Sequence, residues 1–197
     1  TLPIFHIHGL FVALNTALYS GAGIIWQQSF VAERVLDSLF ESTVFMGVPT
    51  YYSRLLAIPR FGKSYCAGVR LFVSGSAPLL AQTHKDFENR TGHKILERYG
   101  MSETGIITSN PLVGERREGT VGFPLEKGSV RVVMETNSKS AASQKGIVQV
   151  KSESVFKGYW RRPEKTNSEF TESGWFLTGD IGFFDKDGYL TLVGRAK

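Results

Sequence analysis

The stretch VRLFVSGSAPLLAQTHKDFENRTGHKILERYG, residues 69–100, decides the fold class of this chain. Residues 69–78 have the β-branched and aromatic content of a short strand that runs into a Gly/Ser loop. Residues 79–92 predict a helix, and Gly92 stands where a left-handed residue would end it. Residues 93–100 predict a second strand. Short strands that alternate with helices indicate a parallel sheet.

The same alternation precedes this stretch. VAERVLDSLF, residues 31–40, has apolar residues at helical spacing, and TVFMGV, residues 43–48, is a short β-rich run. PTYYSRLLA begins with Pro49, which suits the first turn of a helix. The pattern predicts an α/β subdomain over residues 1–111, with ligand-binding loops at the ends of its strands.

The pattern changes after Pro111. Short strand candidates separated by Gly, Asp and Ser follow it: SVRVVMET, GIVQVKSES, FKGYW, GWFLTGDIGFF and GYLTLVGR. Such spacing predicts a small antiparallel sheet or barrel over residues 112–197. We expect an exposed hairpin loop at 137–146 and a tight turn at DKDG, residues 185–188. The predicted fold class is therefore α/β, a parallel αβ-layered sheet followed by a small, distorted antiparallel β-barrel.

Bulk composition narrows the class of protein. The 197 residues are 42% hydrophobic and 21% charged, which is typical of a globular chain with its own core. The single cysteine, Cys66, excludes an internal disulfide framework and favours a reducing compartment. We therefore expect a cytoplasmic protein, or one of the mitochondrial matrix in a eukaryote.

Two classes of partner are not expected. No apolar run reaches the roughly 18 residues of a membrane span, so the sequence predicts no membrane partner. The net charge is +5, but the basic residues are scattered and form no helix face with interleaved aromatic residues. A nucleic-acid partner is therefore not expected. Some of the positive charge could instead serve small polyanions such as nucleotides.

Three consecutive predicted strands end in loops that could bind a ligand. The loops contain GVPT, SGSAP and YGMSETG, and the carboxyl ends of parallel strands lie at one edge of a sheet, where ligands bind. SGSAP offers backbone amides with little side chain, which suits a flat ring or a phosphate. A capped loop without a ligand would explain any one of these motifs alone. The three together favour a ligand site.

The YGMSETG loop carries several functional groups within a few positions. Tyr99 can stack on a ring, and Ser102 and Thr104 can donate hydrogen bonds to phosphate. Glu103 can bind Mg²⁺ through its carboxylate oxygens. The residues of this loop therefore suit a site for an anion, a planar ring and a metal ion.

Six motifs, taken in order, identify the family that this chain resembles. LPIFHIHG, SGSAPL, YGMSET, GTVGFPL, GWFLTGD and GRAK occur in the order found in AMP-forming acyl-CoA synthetases, members of the adenylate-forming superfamily that includes luciferases. The resemblance spans nearly the whole chain. Within that family the chain is most similar to malonyl-CoA synthetases, through LPIFHIHGLFVALN, VFMGVPTYYSRLL, RLFVSGSAPL and LERYGMSET.

The resemblance implies a ligase reaction in two steps. A carboxylate attacks the α-phosphate of ATP to give an acyl-AMP and pyrophosphate, and the thiol of CoA then displaces AMP. The implied cofactors and substrates are ATP or AMP, Mg²⁺ and CoA, and the implied acid is malonate. Methylmalonate or a monocarboxylate is the alternative acid. A non-catalytic nucleotide-binding fragment is the alternative from a different class of function.

The same resemblance implies that this chain is part of a longer enzyme. We expect a Ser/Thr/Gly-rich phosphate loop before Thr1, and a C-terminal lid with a catalytic lysine after the hinge near Lys197. These two segments of the same enzyme are the expected missing parts. We therefore expect the fragment alone to be inactive, and its partners to be the small molecules malonate, ATP and CoA.

The resemblance also assigns roles to individual residues. His6 matches the histidine near the α-phosphate and the CoA tunnel. On a predicted strand His6 and His8 would share a face, but no third zinc ligand is apparent, so His8 is assigned to packing or a supporting position. Ser102 stands where the family has Thr, and the hydroxyl is kept. The expected catalytic residues are His6, Ser102 and Glu103, and Glu103 is also the expected metal ligand.

The nucleotide is expected to contact both halves of the chain. Asp180 in TGD resembles the carboxylate that accepts both ribose hydroxyls, and Arg195 resembles the arginine that reaches ribose and phosphate. A turn-capping Asp and a surface Arg are the alternatives. The full set of expected nucleotide-binding residues is Gly75, Ser76, Ala77, Pro78, Tyr99, Gly100, Met101, Ser102, Thr104, Asp180, Leu192 and Arg195.

The choice of acid depends on three further positions. The second carboxylate of malonate requires a cation and hydrogen-bond donors. Arg54, Ser76 and Arg98 lie on segments at the expected ligand-binding edge, and a buried Arg that faces an acyl pocket is costly without an anion. We therefore expect these three residues to bind the distal carboxylate. The alternative for each arginine is a surface or salt-bridge role.

Overall fold

The structure is a computed structural model that describes residues 1–134 and 145–196. By contacts the chain divides into two compact units: Thr1–Arg98 with Pro111–Gly119, and Tyr99–Asn110 with Thr120–Lys197. On either side of the predicted boundary at residues 111–112, residues 99–110 belong to the second unit and residues 111–119 belong to the first. That boundary stays a prediction about the two subdomains.

The first unit contains parallel strands with helices between them, as the sequence predicts. Its strands are β1 (Val44–Gly47), β2 (Leu71–Ser74) and the beginning of β3 (Leu96–Met101). Its helices are α1 (Thr16–Tyr19), α2 (Ala32–Ser38), α3 (Pro49–Leu56) and α4 (Ala81–Thr91). β2 pairs in parallel with both other strands, and Val44 lies opposite Leu71 while Val73 lies opposite Leu96.

The ends of two helices follow the predicted signals. Pro49 lies in the first turn of α3, where its missing N–H costs no intrahelical hydrogen bond. Gly92 ends α4 with a φ of 79°, and its N–H donates to the carbonyl of Glu88 at 2.7 Å. Residues with a Cβ rarely adopt that backbone conformation, which explains the glycine at this position.

Aromatic side chains fill the core of the first unit. Phe87 on α4 is fully buried, and its ring contacts the rings of Tyr52, Phe61 and Phe72 with centroids 4.9–5.7 Å apart. The hydroxyl of Tyr52 donates to the carbonyl of Val73 at 2.6 Å, which satisfies a buried polar atom. Through these contacts α3 and α4 pack against β2.

β3 carries three consecutive polar side chains, all of them buried. Oε1 of Glu97 lies 3.0 Å from Nδ1 of His84 on α4. Burial raises the pKa of Glu97, and the hydrogen bond to His84 acts in the opposite direction. The chain passes from the first unit to the second between Arg98 and Tyr99. Because successive side chains of a strand point to opposite faces, Glu97 and Tyr99 share one face and Arg98 lies on the other.

The expectation that His6 and His8 lie on a strand is wrong. The chain turns after Pro3, whose carbonyl accepts a hydrogen bond from the N–H of His6 at 3.2 Å. Residues His8–Asn15 then form a π-helix that continues into α1. His-Ile-His has the period of a strand, but the residues after it do not alternate between polar and apolar, and the apolar run continues as a helix.

The second unit consists mainly of antiparallel strands. After the end of β3 come β4 (Gly105–Ser109) and the short β5 (Phe123–Pro124), which pair antiparallel. A four-stranded antiparallel sheet follows, in the order β6-β7-β8-β9. Its strands are β6 (Val130–Val133), β7 (Gly146–Val150), β8 (Phe176–Phe184) and β9 (Leu190–Arg195). The predicted antiparallel sheet is confirmed, and its closure into a barrel stays a prediction.

β8 brings a carboxylate into the interior of the second unit. Buried and half-buried positions alternate along this strand, and Phe176, Thr178 and Asp180 share its buried face. The hydroxyl of Thr178 accepts a hydrogen bond from the backbone N–H of Asp180 at 3.0 Å and donates to the carbonyl of Val148 at 2.8 Å. The strand is thereby anchored to its neighbour directly beside the carboxylate.

Two elements of the second unit differ from the prediction. FKGYW, residues 156–160, is not a strand, and the helix α5 (Pro163–Ser168) that follows it is not predicted from the sequence. Pro163 in the first turn is the sequence signal for this helix. The aromatic residues of FKGYW pack instead, and the ring of Phe156 contacts those of Tyr159 and Phe176 at 4.7 and 5.5 Å.

The turn and loop predictions have different outcomes. The DKDG turn is confirmed, because the N–H of Gly188 donates to the carbonyl of Asp185 at 3.0 Å. The hairpin loop expected at 137–146 lies mostly outside the described residues. Within residues 1–134 and 145–196, no helix has both the length and the apolar character needed to cross a membrane.

Replacing Phe87 with Ala should lower the free energy of unfolding by about 3–5 kcal/mol, because a fully buried ring is lost from an aromatic cluster. The measurement is urea unfolding of the intact protein. Phe40→Ala is the matched control, since Phe40 is 60% exposed and its loss should cost about 0.5 kcal/mol or less. Equal losses for the two variants would contradict the place of Phe87 in the core.

Candidate functional site

The sequence-predicted residues fall into two sets, one in each compact unit, and each set is described by itself. The set in the first unit is His6, Arg54, Gly75, Ser76, Ala77, Pro78 and Arg98. The set in the second unit is Tyr99, Gly100, Met101, Ser102, Glu103, Thr104, Asp180, Leu192 and Arg195. The first set is centred on a buried cation and the second on two carboxylates.

Arg98 on β3 is a buried cation with unused hydrogen-bond donors. It is 8% exposed, and its Nε and Nη2 atoms have no hydrogen-bond partner among the described residues. Burial lowers the pKa of Arg98 to about 10, and the Tyr52 phenol acts in the opposite direction. The guanidinium is therefore still charged at neutral pH. Since a buried charge is costly without an opposite charge, this arrangement indicates a site for an anion.

The loop after β2 leaves room for this guanidinium. A Cβ atom at Gly75 would lie 2.9–3.3 Å from three guanidinium atoms of Arg98, closer than side-chain carbons normally approach. The N–H of Gly75 donates to the carbonyl of Gly47 at 3.3 Å, which ties the loop to the end of β1. The loop continues with the exposed residues Ala77 and Pro78. Glycine at position 75 thus allows the guanidinium to lie against the loop backbone.

Ser76 has an unusual backbone conformation, and its hydroxyl contacts His8. The φ of Ser76 is 70°, in the left-handed region that residues other than glycine rarely adopt. Nδ1 of His8 lies 3.0 Å from Oγ of Ser76. His8 is 2% exposed, and burial, reinforced by the charge of Arg98, lowers the pKa of its imidazole to about 3. His8 is therefore neutral at physiological pH.

The other two charged or titratable residues of the first set are exposed. Arg54 lies on α3, and its guanidinium carbon is 4.8 Å from the ring centroid of Phe30. The ring of His6 contacts that of Phe5, with centroids 4.6 Å apart. The structure thus brings Ser76 and Arg98 together with His8, whereas the side chains of Arg54 and His6 lie beside the rings of Phe30 and Phe5.

Asp180 is the centre of the set in the second unit. Its Oδ2 accepts a hydrogen bond from the hydroxyl of Tyr99 at 2.5 Å, and its Oδ1 forms an ion pair with Nη1 of Arg195 at 3.0 Å. Burial, followed by the negative charge of Asp180, raises the pKa of Tyr99 well above its ordinary value. Each carboxylate oxygen keeps a further lone pair, so Asp180 can accept ligand hydroxyls without losing Tyr99 or Arg195.

The turn between β3 and β4 presents the second carboxylate, that of Glu103. Its Oε1 accepts a hydrogen bond from the hydroxyl of Tyr159 at 3.1 Å, and its carbonyl accepts one from the N–H of Phe156 at 2.7 Å. Burial, followed by the hydrogen bond to Glu103, raises the pKa of Tyr159 to about 12. Glu103 is thereby held through both its side chain and its backbone.

The two hydroxyl groups of this turn differ in their accessibility. Ser102 is exposed. Thr104 is fully buried, its hydroxyl donates to the carbonyl of Gly105 at 3.1 Å, and its carbonyl accepts from the hydroxyl of Ser154 at 2.7 Å. A phosphate group can therefore reach Ser102 directly, whereas the observed contacts of Thr104 hold the shape of the turn.

Three further residues of the set shape the surroundings of this turn. A Cβ atom at Gly100 would collide with the backbone of Gly105, so the close return of the chain from β3 to β4 requires glycine. Met101 is half-buried at the end of β3. Leu192 on β9 packs against the core of the second unit. The role of each in binding a nucleotide stays a prediction.

Glu103 fits a divalent cation that is shared with phosphate. Among residues 1–134 and 145–196, no group of three or more His, Cys, Asp or Glu side chains could hold a metal ion alone. Mg²⁺ commonly binds through one or two carboxylates and completes its coordination with substrate phosphates and water. A single half-buried carboxylate next to the exposed Ser102 suits that mode of binding.

His8 and Tyr159 are not among the sequence-predicted site residues, although each contacts one of them. His8 contacts Ser76 across 68 positions, and Tyr159 contacts Glu103 across 56 positions. The signals in the sequence are a second histidine in an apolar run and a tyrosine in GYW. Neither signal tells which distant residue it contacts, because such contacts depend on the tertiary fold.

Comparison with known proteins agrees with the motifs. Residues 1–160 match the family described as AMP-binding enzyme. The chain is 41% identical over 217 residues to the malonate–CoA ligase of Arabidopsis thaliana, and the match covers 98% of this chain and 35% of that protein. The chain therefore spans about a third of the length of this curated relative.

Two solved structures are similar over almost all of this chain. A crystal structure of ATP-bound MatB from Rhodopseudomonas palustris is 49% identical with a TM-score of 0.94, covering 100% of this chain and 39% of that one. A malonyl-CoA ligase ternary product complex with methylmalonyl-CoA and AMP bound is 39% identical with a TM-score of 0.87, covering 98% of this chain and 43% of that one. These likenesses confirm the predicted α/β fold class.

The free energy of unfolding should fall as the pH is lowered from about 6.5 towards 3, in part because of His8. In the unfolded chain its imidazole takes up a proton near the ordinary pKa of about 6.5, whereas the folded imidazole has a pKa of about 3 and stays neutral. The unfolded state binds the extra proton in this window, so stability is lost as the pH falls. The largest slope from one such group is about 1.4 kcal/mol per pH unit.

The measurement is urea unfolding of the intact protein between about pH 4 and about pH 8, beside the variant His8→Asn, whose amide does not titrate there. The difference between the two pH dependences isolates the contribution of His8 from those of other groups. Identical slopes in the two proteins would contradict the burial of a neutral His8.

Proposed function

This chain belongs to the AMP-binding enzyme family, and on that premise we propose that it is part of an AMP-forming ligase that joins malonate to CoA. In the first step a carboxylate oxygen of malonate attacks the α-phosphorus of ATP, the bond to the pyrophosphate oxygen breaks, and malonyl-AMP forms. In the second step the thiol of CoA loses its proton and attacks the acyl carbon. AMP leaves, and malonyl-CoA forms.

The observation that carries the choice of acid is the buried guanidinium of Arg98. Malonate has a second carboxylate that takes no part in the reaction, and this group would supply the anion that Arg98 lacks among the described residues. The hydroxyl of Ser76, next to Gly75 and its contact with the guanidinium, adds a donor. An apolar acyl chain at the same place would leave the charge buried without a partner. Arg54 is proposed as a second cation.

The similarity to known proteins supports the same acid, nucleotide and thiol. The Arabidopsis relative is a malonate–CoA ligase, and the two similar structures have ATP bound in one case and methylmalonyl-CoA with AMP in the other. The matches cover 98% or more of this chain. The whole reaction is proposed for the intact protein.

The residues of the second unit are proposed to bind the nucleotide. Asp180 would accept the ribose hydroxyls, Arg195 would reach ribose and phosphate, and Tyr99 would hold Asp180 and stack on a ring. Glu103 would hold Mg²⁺, which when bound supplies positive charge to the phosphate oxygens of the transition state. The remaining proposed contacts of this unit are Gly100, Met101, Ser102, Thr104 and Leu192.

Other parts of the first unit and of the protein have proposed roles that rest on the family resemblance. His6 is the proposed catalytic histidine, and the loop Gly75–Pro78 a further nucleotide contact. The chain covers 35% of the Arabidopsis relative, which leaves room for a phosphate-binding segment and a C-terminal lid in the intact protein. We propose the cytoplasm, or the mitochondrial matrix in a eukaryote, as its location.

Alternative functions make different demands on the same residues. Methylmalonate keeps both carboxylates and would satisfy Arg98 as malonate does, whereas a monocarboxylate would not. A non-catalytic nucleotide-binding protein would need neither a metal ligand nor an unpaired cation. The presence of Glu103, Asp180 and Arg195 together with Arg98 supports a catalytic protein for a dicarboxylic acid.

Arg98→Met should lower kcat/KM for malonate about 10- to 100-fold, because a hydrogen bond to a charged group contributes ~1.5–3 kcal/mol. Butyrate has no distal carboxylate, so its kcat/KM should hold or rise. Arg54→Met should act in the same direction, and Ser76→Gly more mildly, since a neutral donor contributes less. The measurement is kcat/KM for each acid in the intact protein at fixed ATP and CoA.

Malonamate, in which a neutral amide replaces one carboxylate, is the matched substrate for this test. The wild-type protein should prefer malonate over malonamate, and Arg98→Met should reduce that preference. Equal losses for malonate, malonamate and butyrate in Arg98→Met would show that the residue supports the fold and does not bind the distal carboxylate.

Glu103→Gln should strongly reduce the rate of acyl-AMP formation, because the metal loses its charged ligand. Tyr159→Phe should have a smaller effect of about 2- to 10-fold, since it removes one hydrogen bond to the Glu103 carboxylate. The measurement is malonate-dependent release of pyrophosphate as a function of Mg²⁺ concentration, and both variants should require more Mg²⁺.

Tyr19→Phe is the control for loss of a phenol, because Tyr19 is 96% exposed. Its Mg²⁺ dependence should match that of the wild type. Near-normal pyrophosphate release by Glu103→Gln at low Mg²⁺ would exclude the metal role of Glu103.

A further inference from the structure

We propose that His8 is a positioning residue for the anion site, an inference that rests on the proposed function. Its imidazole, protonated at Nδ1, donates a hydrogen bond to Oγ of Ser76 and so leaves the hydroxyl proton of Ser76 free to point at an anionic group beside Arg98. His8 itself does not contact the substrate. It sets the direction of a hydroxyl that does.

The contact between His8 and Ser76 has two possible directions. Their Nδ1 and Oγ atoms are 3.0 Å apart, which suits a hydrogen bond either way. If Nδ1 accepted the bond, the only proton of the hydroxyl would point at the imidazole, and Ser76 would offer lone pairs to a ligand. Lone pairs repel a carboxylate. If Nδ1 donates, the hydroxyl keeps its proton for the ligand.

The surroundings of the other ring nitrogen favour donation by Nδ1. Nε2 of His8 is buried and has no hydrogen-bond partner among the described residues. In the tautomer in which Nδ1 accepts, Nε2 carries the proton and becomes a buried donor without an acceptor. Among backbone groups, orphaned buried donors are rarer than under-satisfied acceptors. The nearby charge of Arg98 also favours a lone pair on the imidazole over a second N–H.

The imidazolium form would donate from both nitrogens, but it is not populated at neutral pH. Burial and the charge of Arg98 lower the pKa of His8 to about 3. The neutral tautomer with Nδ1–H is therefore the form that donates the hydrogen bond to Ser76. A neutral donor also adds no positive charge beside Arg98.

The backbone of Ser76 is a second observation that the hydroxyl is used. Its φ of 70° is one that glycine adopts without strain and that residues with a Cβ rarely adopt. A serine at such a position adds a side chain where the backbone favours none. Ser76 is exposed on its loop and its hydroxyl contacts His8, so the hydroxyl can reach a ligand while its oxygen is fixed.

The arrangement specifies the class of ligand group. The hydroxyl of Ser76 and the free N–H groups of Arg98 are all donors, so the group that they bind must offer several acceptor lone pairs, and a negative charge on it would match the charge of Arg98. A carboxylate or a sulfonate meets this condition. An amide or an alcohol offers fewer acceptor lone pairs than a carboxylate and brings no charge to offset that of Arg98. His8 thereby contributes to the selection of dianionic acids over their neutral analogues.

Two substitutions of His8 separate the donor from the ring. His8→Asn places an amide N–H near the position of Nδ1 and can still donate to Ser76, whereas His8→Phe keeps a ring without a donor. His93→Phe is the matched control, because His93 is half-buried against the ring of Phe72 at 5.2 Å and belongs to no proposed site.

His8→Phe should lower kcat/KM for malonate about 3- to 10-fold, the loss expected for one neutral hydrogen bond, and mainly through KM. Its kcat/KM for butyrate should change little. His8→Asn should retain most of the malonate activity, and His93→Phe should leave the ratio of malonate to butyrate unchanged. A His8→Asn variant as poor as His8→Phe, with both losing malonate and butyrate equally, would overturn the proposal in favour of a packing role.

A double-mutant cycle tests whether His8 acts through Ser76. Ser76→Gly is made in the wild-type and in the His8→Phe background, and the ratio of malonate to butyrate kcat/KM is measured in the intact protein. We expect Ser76→Gly to reduce the ratio in the wild type and to change it little in the His8→Phe background, because the hydroxyl is already misdirected there. Additive effects would overturn the proposal.

A measurement without substrate separates this inference from the proposed function. ¹⁵N NMR of the histidine-labelled intact protein should show His8 with a protonated Nδ1 and an unprotonated Nε2, and the reverse tautomer would overturn the proposal. A wild-type protein that carries this tautomer but does not activate malonate would refute the proposed function alone. A wild-type protein that activates malonate but gives an additive cycle would refute the role of His8 alone.

Discussion

The buried guanidinium of Arg98, whose Nε and Nη2 have no hydrogen-bond partner among residues 1–134 and 145–196, is the central electrostatic feature of the first unit. Arg98 keeps its charge at neutral pH, so a second cation packed beside it would be unfavourable. Gly75 has no side chain, Tyr52 is a phenol and His8 is an uncharged imidazole. None of these groups offsets the charge. Burying such a charge is costly without an opposite charge, and this cost is the physical basis of the anion site proposed above.

The predicted site residues of the second unit are centred on two carboxylates, each with a hydrogen-bond partner within the protein. The carboxylates of Asp180 and Glu103 each accept a hydrogen bond from a tyrosine, Tyr99 in one case and Tyr159 in the other. A phenol is a neutral donor, so it fixes the orientation of a carboxylate without cancelling its charge. The fixed carboxylates stay available for hydroxyl groups and for a cation. Arg195 balances Asp180 from the end of β9, where it is 62% exposed and keeps contact with water.

The sequence predicts the parts of this structure that follow from local patterns. It does not predict contacts between residues that are far apart in the sequence. Alternating strand and helix patterns predict β1 to β3 and α2 to α4, and Gly92 and Pro49 mark helix ends where the structure has them. The prediction of a strand at His8 is wrong because it rests on the alternation of His-Ile-His, whereas the apolar run that follows forms a helix. Its contact with Ser76 spans 68 positions and has no local signature. Arg98 is the exception, because a charge inside an apolar strand pattern already predicts a buried cation, and the structure places it there.

The passage of the chain between its two units has a consequence for how such proteins vary. Glu97, Arg98 and Tyr99 are consecutive, and each makes a different contact: with His84 on α4, with the loop at Gly75, and with Asp180 on β8. A gain or loss of one residue in this strand would turn every side chain to the wrong face and break all three contacts at once. Substitution at position 98 breaks only one of them. A substitution at position 98 is therefore compatible with the rest of this strand, whereas an insertion or deletion is not.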